Sequence, residues 1–320
     1  MIEVDNKALD GYEFIDLFCG IGGFHLALSS FGAKCVFASD IDKNAREVYK
    51  KNFKMEPYGD ITKIDVVDIP KHDIICAGFP CQPFSISGQQ QGFNDNRGKL
   101  FYEIIRIASY HKPKIILLEN VKNLEIHNAG KTLKKMKETL ENIGYNVFYK
   151  VLVASNFGIP QARERLYILA LRGDLNINKF EFPNGDKKKC QLADLLIDEA
   201  NKYDVKVKRD YLINPRPLKR KGLIQVARIG KGRQGERIYS IEGLATTLSS
   251  QSGGLGGKTG MYVINGCVRK LYPRECARLM GFPDEFEYAE SISVAQKQFG
   301  NSVVVNVLQY ILFELLKHIQ

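Results

Sequence analysis

The sequence predicts a doubly wound α/β domain followed by a smaller, mainly β domain, and two observations carry that reading. Over residues 11–172, short apolar runs alternate with amphipathic stretches, as they do in strand–helix–strand units of a parallel sheet. After Arg172 the texture changes. Asn, Lys and Pro accumulate, and two glycine clusters follow, Gly230-Lys231-Gly232-Arg233-Gln234-Gly235 and Gly253-Gly254-Leu255-Gly256-Gly257, a pattern of short strands and long loops. A chain of 320 residues has room for both domains.

Taken in order, residues 14–18, 35–38, 74–77, 115–118, 147–153 and 166–171 read as strands, and 23–31, 43–52, 100–110 and 131–143 as helices. From Gln298 the chain reads as a loop and then an apolar helix, which Asn301 or Ser302 can cap. Such a helix must pack on something large, so it is expected to return to the first domain. The expected boundaries are 1–180 for the first domain, 181–272 for the second, 273–300 for a hinge and 301–320 for the returning helix.

The composition, 44% hydrophobic and 26% charged, is that of a soluble globular protein. No apolar run nears the roughly 18 residues of a membrane span, and no basic-then-apolar leader opens the chain. A cytoplasmic protein without a membrane partner is expected. Seven cysteines, at 19, 35, 76, 81, 190, 267 and 276, include no C-x-x-C pair, which argues against a disulfide framework and against a bound metal. The net charge of +10 is concentrated: residues 186–237 hold 15 Lys or Arg against 7 Asp or Glu. That points to nucleic acid.

The stretch HDIICAGFPCQPFSIS, residues 72–87, places a thiol, Cys81, between Pro80 and Pro83 in the loop after an apolar run. Open α/β sheets bind ligands at the carboxyl ends of their strands, and flanking prolines narrow the backbone of this thiol. Cys81 is a candidate nucleophile, against the commoner role of free cysteine as core packing. The first strand ends in a glycine turn, Gly20-Ile21-Gly22-Gly23, opening a helix, which brings backbone amides up to a ligand. Where a dinucleotide fingerprint ends in glycine, this chain has His25, which weakens pyrophosphate binding. Asp40, about 20 residues on, suits the hydroxyls of a ribose. A ribose ligand without a pyrophosphate fits, S-adenosylmethionine among them. Asp60-Ile61, at the expected end of a third strand, suits an adenine edge and face. Glu119, at the carboxyl end of the strand 115–118, shares the Cys81 side of the sheet. Arg163 and Arg165, at spacing two, are expected on one face and on that same side.

The ordered set Phe18-x-Gly20-x-Gly22, Pro80-Cys81-Gln82, Glu119-Asn120-Val121, Gln161-x-Arg163-x-Arg165, RECARLMGFP from Arg274 and GNSVV from Gly300 resembles the bacterial type II DNA (cytosine-5)-methyltransferases over nearly the whole chain. The resemblance implies a mixed-sheet, Rossmann-like S-adenosylmethionine-dependent domain with a target-recognition domain. It implies that Cys81 adds to carbon 6 of a flipped cytosine while Glu119 engages ring nitrogen 3, with Arg163 and Arg165 favouring the thiolate or binding the target. By position, Phe18, Gly20, Gly22, Gly23, Asp40, Ile41, Asp60, Ile61, Pro80, Leu100, Asn301 and Ser302 would surround the cofactor. Ile41 departs from the aromatic residue that relatives often carry.

Residues 82–99, with Gly88, Gly92 and Gly98, would close over DNA as a mobile loop. Duplex DNA would be met by Gln82, Ser85, Ser87, Arg233, Gln234, Arg237, Thr247 and Gly254. The similarity of the loop GKGRQGERIYS, residues 230–240, to that of one relative suggests GCGC as target, although Arg233 replaces a glycine of that relative. A monomer is expected, with a restriction endonuclease as functional rather than physical partner. A non-catalytic DNA-binding module, a transfer RNA methyltransferase and a nicotinamide dehydrogenase are the competing readings. The intact Cys81, Glu119 and Arg163 set, the basic segment and His25 count against them in turn.

Overall fold

A computed structural model describes residues 6–79, 100–186, 190–198, 207, 210–250 and 255–319. The chain divides into two compact units, one built from residues 2–152, 164–184 and 307–320, the other from 153–163 and 185–306. The expected cofactor turn and Glu119 lie in the first, and the basic segment in the second.

In the first unit six strands form one sheet in the order β2-β1-β3-β4-β6-β5: β1 (Glu13–Leu17), β2 (Lys34–Ser39), β3 (Ile74–Ala77), β4 (Ile115–Val121), β5 (Tyr145–Val153) and β6 (Glu164–Arg172). All four residues of β3 and residues 115–118 of β4 are buried, as apolar runs covered on both faces must be. Strands β2, β1, β3 and β4 are parallel, whereas β6 runs antiparallel to β4, so the sheet is mixed, as the resemblance implies and the strand–helix alternation alone does not reveal. The reason lies in the connection from Val153 to Glu164, which holds only a short 3₁₀ turn (Ala154–Phe157) and falls short of the dozen or more residues a parallel crossover needs.

Helices α1 (Gly23–Ser29), α2 (Lys43–Phe53), α3 (Leu100–His111) and α4 (Lys131–Asn142) join the strands. Asp42 starts α2 by accepting the amides of Asn44 and Ala45 at 2.9 and 3.3 Å. Helices α3 and α4 bury Phe101, Ile104 and Ile107, and Leu133, Met136 and Leu140, each on one helical stripe. The strand order reverses between β1 and β3, and ligand sites of this architecture open at such a point.

Two further expectations change. Asp60-Ile61 ends no strand: Pro57 lacks an amide donor, only Tyr58 bridges to Ser39, and Asp60 instead starts a single 3₁₀ turn. Residues 298–301 are not a loop but the end of α6 (Ile292–Asn301). Ser302 closes that helix rather than capping the next, α7 (Val305–Ile319). The stretch Ile292–Ile319 is apolar and long enough to cross a membrane by composition, contrary to the sequence reading, yet two thirds of its most apolar window is buried as in a core helix. From Val307 onward, α7 belongs to the first unit and buries Leu308, Ile311, Leu312 and Leu315.

The second unit carries a five-stranded sheet, β11-β10-β9-β8-β7, from β7 (Leu212–Arg220), β8 (Leu223–Arg228), β9 (Arg237–Ser240), β10 (Met261–Ile264) and β11 (Cys267–Arg269). Its small core is Ala227, Ile229, Ile238, Met261 and Val268. Helix α5 (Pro273–Arg278) is fastened to β11 by a buried ion pair, in which Arg269 donates two hydrogen bonds of 2.7 Å to Glu275. The carboxylate also accepts the amides of Tyr272 and Ile197 at 2.8 and 3.2 Å. With these bonds the pair holds its place; with one partner removed, a bare charge stays buried. Arg269→Ala is therefore expected to lower the unfolding free energy by about 3–5 kcal/mol in urea titration. Arg269→Met combined with Glu275→Leu should restore most of that loss.

Candidate active site

The carboxyl end of β1 turns sharply into α1. Phe18 adopts a left-handed backbone with φ 55°, a conformation that costs a side-chain-bearing residue about 1–2 kcal/mol. Gly20 and Gly22 follow with φ 53° and 89°, and a Cβ on Gly22 would lie 2.1 Å from the Phe53 ring, so only glycine fits there. Asp40 leaves the end of β2 and ties this turn down: one carboxylate oxygen accepts the Gly20 amide and the other the Asp42 amide, both at 2.8 Å. Burial holds the Asp40 carboxyl above its ordinary range, against the pull of those amides. Next to it Ile41 is 77% exposed, an apolar side chain at the surface. Asp60 accepts the Thr62 amide and hydroxyl at 3.1 and 2.8 Å, which lowers its pKa. Ile61 is buried, and half-buried Leu100 opens α3.

Beneath the turn, Asp16 is fully buried and its carboxyl oxygens have no hydrogen-bond partner among the described residues. Burial, then the charge of Asp40, pushes its pKa well up. Burial likewise pushes the thiols of Cys19, Cys76 and Cys276 well up and that of Cys35 to about 12. These four are packing thiols, unsuited to thiolate chemistry.

Glu119 is buried to 8% exposure at the end of β4, with Arg165 of β6 beside it, Nε to Oε1 3.1 Å. Strands β3 and β4 lie side by side in parallel with Ala77 opposite Leu118, so the chain at residues 78–79 leaves the sheet next to Glu119. Asn120 secures that exit: its Nδ2 donates to the Phe79 carbonyl at 3.2 Å, and its Oδ1 accepts the Val121 amide at 2.8 Å. Cys81 itself, with Pro80, Gln82, Ser85, Ser87 and the expected mobile loop, lies outside the described residues, as does Gly254.

Arg163 belongs to the second unit. Its buried guanidinium donates to the carbonyls of Leu248 at 3.0 Å, Gly300 at 3.3 Å and Ser302 at 2.6 Å. Thus the two arginines of the expected pair part company, Arg165 on Glu119 and Arg163 on backbone that includes Ser302, the neighbour of exposed Asn301. In the recognition segment Arg233 and Gln234 are exposed on a short turn, and Arg237 donates Nε to the Gly232 carbonyl at 3.1 Å. Thr247 donates its hydroxyl to the Ala162 carbonyl at 2.6 Å.

Residues 12–317 match the family model described as C-5 cytosine-specific DNA methylase, and the chain belongs to that family. It is a DNA (cytosine-5)-methyltransferase of the type II restriction–modification kind. The type II methyltransferase M.HhaI of Haemophilus parahaemolyticus is 49% identical over 318 residues, covering 98% of this chain and 97% of that protein. M.NgoBI of Neisseria gonorrhoeae is 43% identical over 301 residues, covering 93% of this chain and 91% of that protein. Among solved structures, the Dnmt2 methyltransferase of S. pombe shares the fold at 24% identity and TM-score 0.68, over 95% of this chain and 98% of its own.

Two residues that lie within the quoted sequence motifs were given no role there. Asn120 was adjacent to a named acid, and its signal was an amide inside an otherwise apolar strand end. Gln161 is fully buried, donating to the Leu279 carbonyl at 2.7 Å and accepting the Leu248 amide at 3.0 Å. Partners more than 80 residues away leave no local mark. Asn120→Asp keeps the acceptor for Val121 and removes the donor to Phe79. Single-turnover methyl transfer should slow about ten- to a hundredfold, the scale set by a misplaced reacting group, while DNA affinity holds. Wild-type turnover would deny Asn120 this positioning part.

Proposed function

We propose that this protein transfers a methyl group from S-adenosylmethionine to carbon 5 of a cytosine flipped out of a short duplex site, GCGC. The observation that carries the proposal is Glu119, buried and paired with Arg165 at the end of β4, beside the strand exit that leads to Cys81. The thiolate of Cys81 attacks carbon 6. Glu119 hydrogen-bonds or protonates ring nitrogen 3, drawing electrons from the ring so that attack is possible. Carbon 5 then takes the methyl group, its proton leaves, and departure of the Cys81 sulfur restores the aromatic ring. Arg165 keeps the Glu119 carboxyl in register with the base. Because carbon 6 is shielded in a duplex, the base must leave the stack.

S-adenosylmethionine supplies an activated methyl group. The residues fit it: the Gly20–Gly22–Gly23 turn with Phe18 offers close backbone, Asp40 offers carboxylate lone pairs to a ribose, and exposed Ile41 offers an aliphatic face to adenine. Asp60, Ile61, Pro80, Leu100, Asn301 and Ser302 complete the proposed set. For Arg163 the three carbonyl bonds favour holding the Gly300–Ser302 backbone in place of activating the thiol. Residues 181–272 are assigned to target recognition, with Gln234 and Arg237 reading bases, since the Arg fork suits guanine. Arg233, Thr247, Gly254, Gln82, Ser85 and Ser87 are assigned to DNA contacts around them. The protein acts as a monomer, alongside an endonuclease of the same site.

Cys81→Ser is expected to abolish methyl transfer while DNA binding persists. Glu119→Gln should slow the covalent step by about two to four orders of magnitude. Bisulfite sequencing of DNA methylated in vitro reads the target directly. Methylation away from GCGC would overturn the target, and a fully active Cys81→Ser would overturn the mechanism.

A further inference from the structure

In the first unit many surface cations have carboxylate neighbours, as Lys50 does with Glu56, Lys114 with Asp73 and Lys122 with Glu164. Strand β8 is different at both ends. Pairing sets Arg228 opposite Arg237 at one end, where Lys231 and Arg233 also lie, and Leu223 opposite Arg220 at the other, where Lys219 and Lys221 lie. Among the described residues, Arg216, Lys219 and Arg220 make no ion pair. Glu242 lines a recess with Lys219, Arg220 and Lys221. One cluster belongs to the base-reading loop already assigned. The other sits a full strand away.

Strand β7 is the edge of its sheet, and every residue in it except half-buried Asn214 is exposed. An exposed edge ordinarily invites another strand. Here Pro215 and Pro217 remove two amide donors and the pairing shifts between Ile213 and Leu218, which denies a partner strand its ladder. What the β7–β8 ribbon offers is its unpaired positive charge rather than its backbone.

We infer that the tip of the β7–β8 ribbon is a second, sequence-independent DNA contact, gripping phosphates on one flank of the recognised site. This rests on the assignment of the 230–237 loop to base reading. The six residues of β8 span about 20 Å at about 3.3 Å each, which is about six base pairs of duplex at 3.4 Å per step. The tip therefore meets phosphates about that far from the bases read by the loop.

The test compares Lys219→Gln with Arg220→Gln, as one double variant, against the parent by fluorescence anisotropy over a salt series. Duplexes carry GCGC with flanks of about four or about twelve base pairs, on either side of that reach. On the long duplex, the slope of log affinity against log salt should flatten by about two, and affinity should fall about tenfold or more. On the short duplex the variant should match the parent, and sequencing should show the same methylated site. An unchanged slope on the long duplex overturns the inference, as does an equal loss on the short one. Arg237→Ala separates the two readings, because it should relax base choice with at most one unit of slope lost. Unaltered base choice there refutes the loop assignment, while the ribbon's slope is read on its own.

Discussion

Two neighbouring parallel strands that end together are the constraint on which the chemistry depends. β3 and β4 are buried on both faces and locked in register, so neither end can slide without moving apolar side chains throughout the core. Asn120 converts that shared register into position, since its amide holds the last carbonyl before Pro80. Glu119 is one residue away on the same strand, oriented by a cation from β6. An acid and the chain leading to a thiol are thus placed by two buried strands in fixed register, before any ligand contributes.

Much of this was legible along the chain. The strand runs 74–77 and 166–171 and the helices opening at Gly23, Lys43, Leu100 and Lys131 coincide with the observed elements to within a residue or two, because burial on both faces writes continuous apolar runs and one-sided burial writes helical stripes. Direction is another matter. A run of Leu166 to Leu171 looks the same parallel or antiparallel, and only the length of the preceding connection distinguishes them. Residues 298–301 were misread because glycine and asparagine suggest a loop, whereas Gly300 sits in a helix where Ser249 and Ser250 press close enough to exclude a Cβ.

The site divides along similar lines. Residue types that carry chemistry stood out in sequence: a thiol between prolines, an acid ending an apolar run, a glycine turn. What each charge is attached to did not. Arg163 and Arg165 share spacing and type, yet one lies on three carbonyls and the other on a carboxylate, a difference settled by segments 85 to 139 residues away in one case and by the adjacent strand in the other.

The contact between Gly22 and Phe53 has a wider consequence. His25 stacks on the same ring at 3.8 Å, and its pKa falls to about 4 under burial, so the stack stays uncharged at neutral pH. The glycine turn, α1 and the end of α2 are thereby one rigid piece, and Asp40 is bonded to that piece at Gly20 and Asp42. A ligand arriving there meets a surface with few degrees of freedom left to lose. Its affinity is then governed by what it touches, with little entropic penalty for shaping the site.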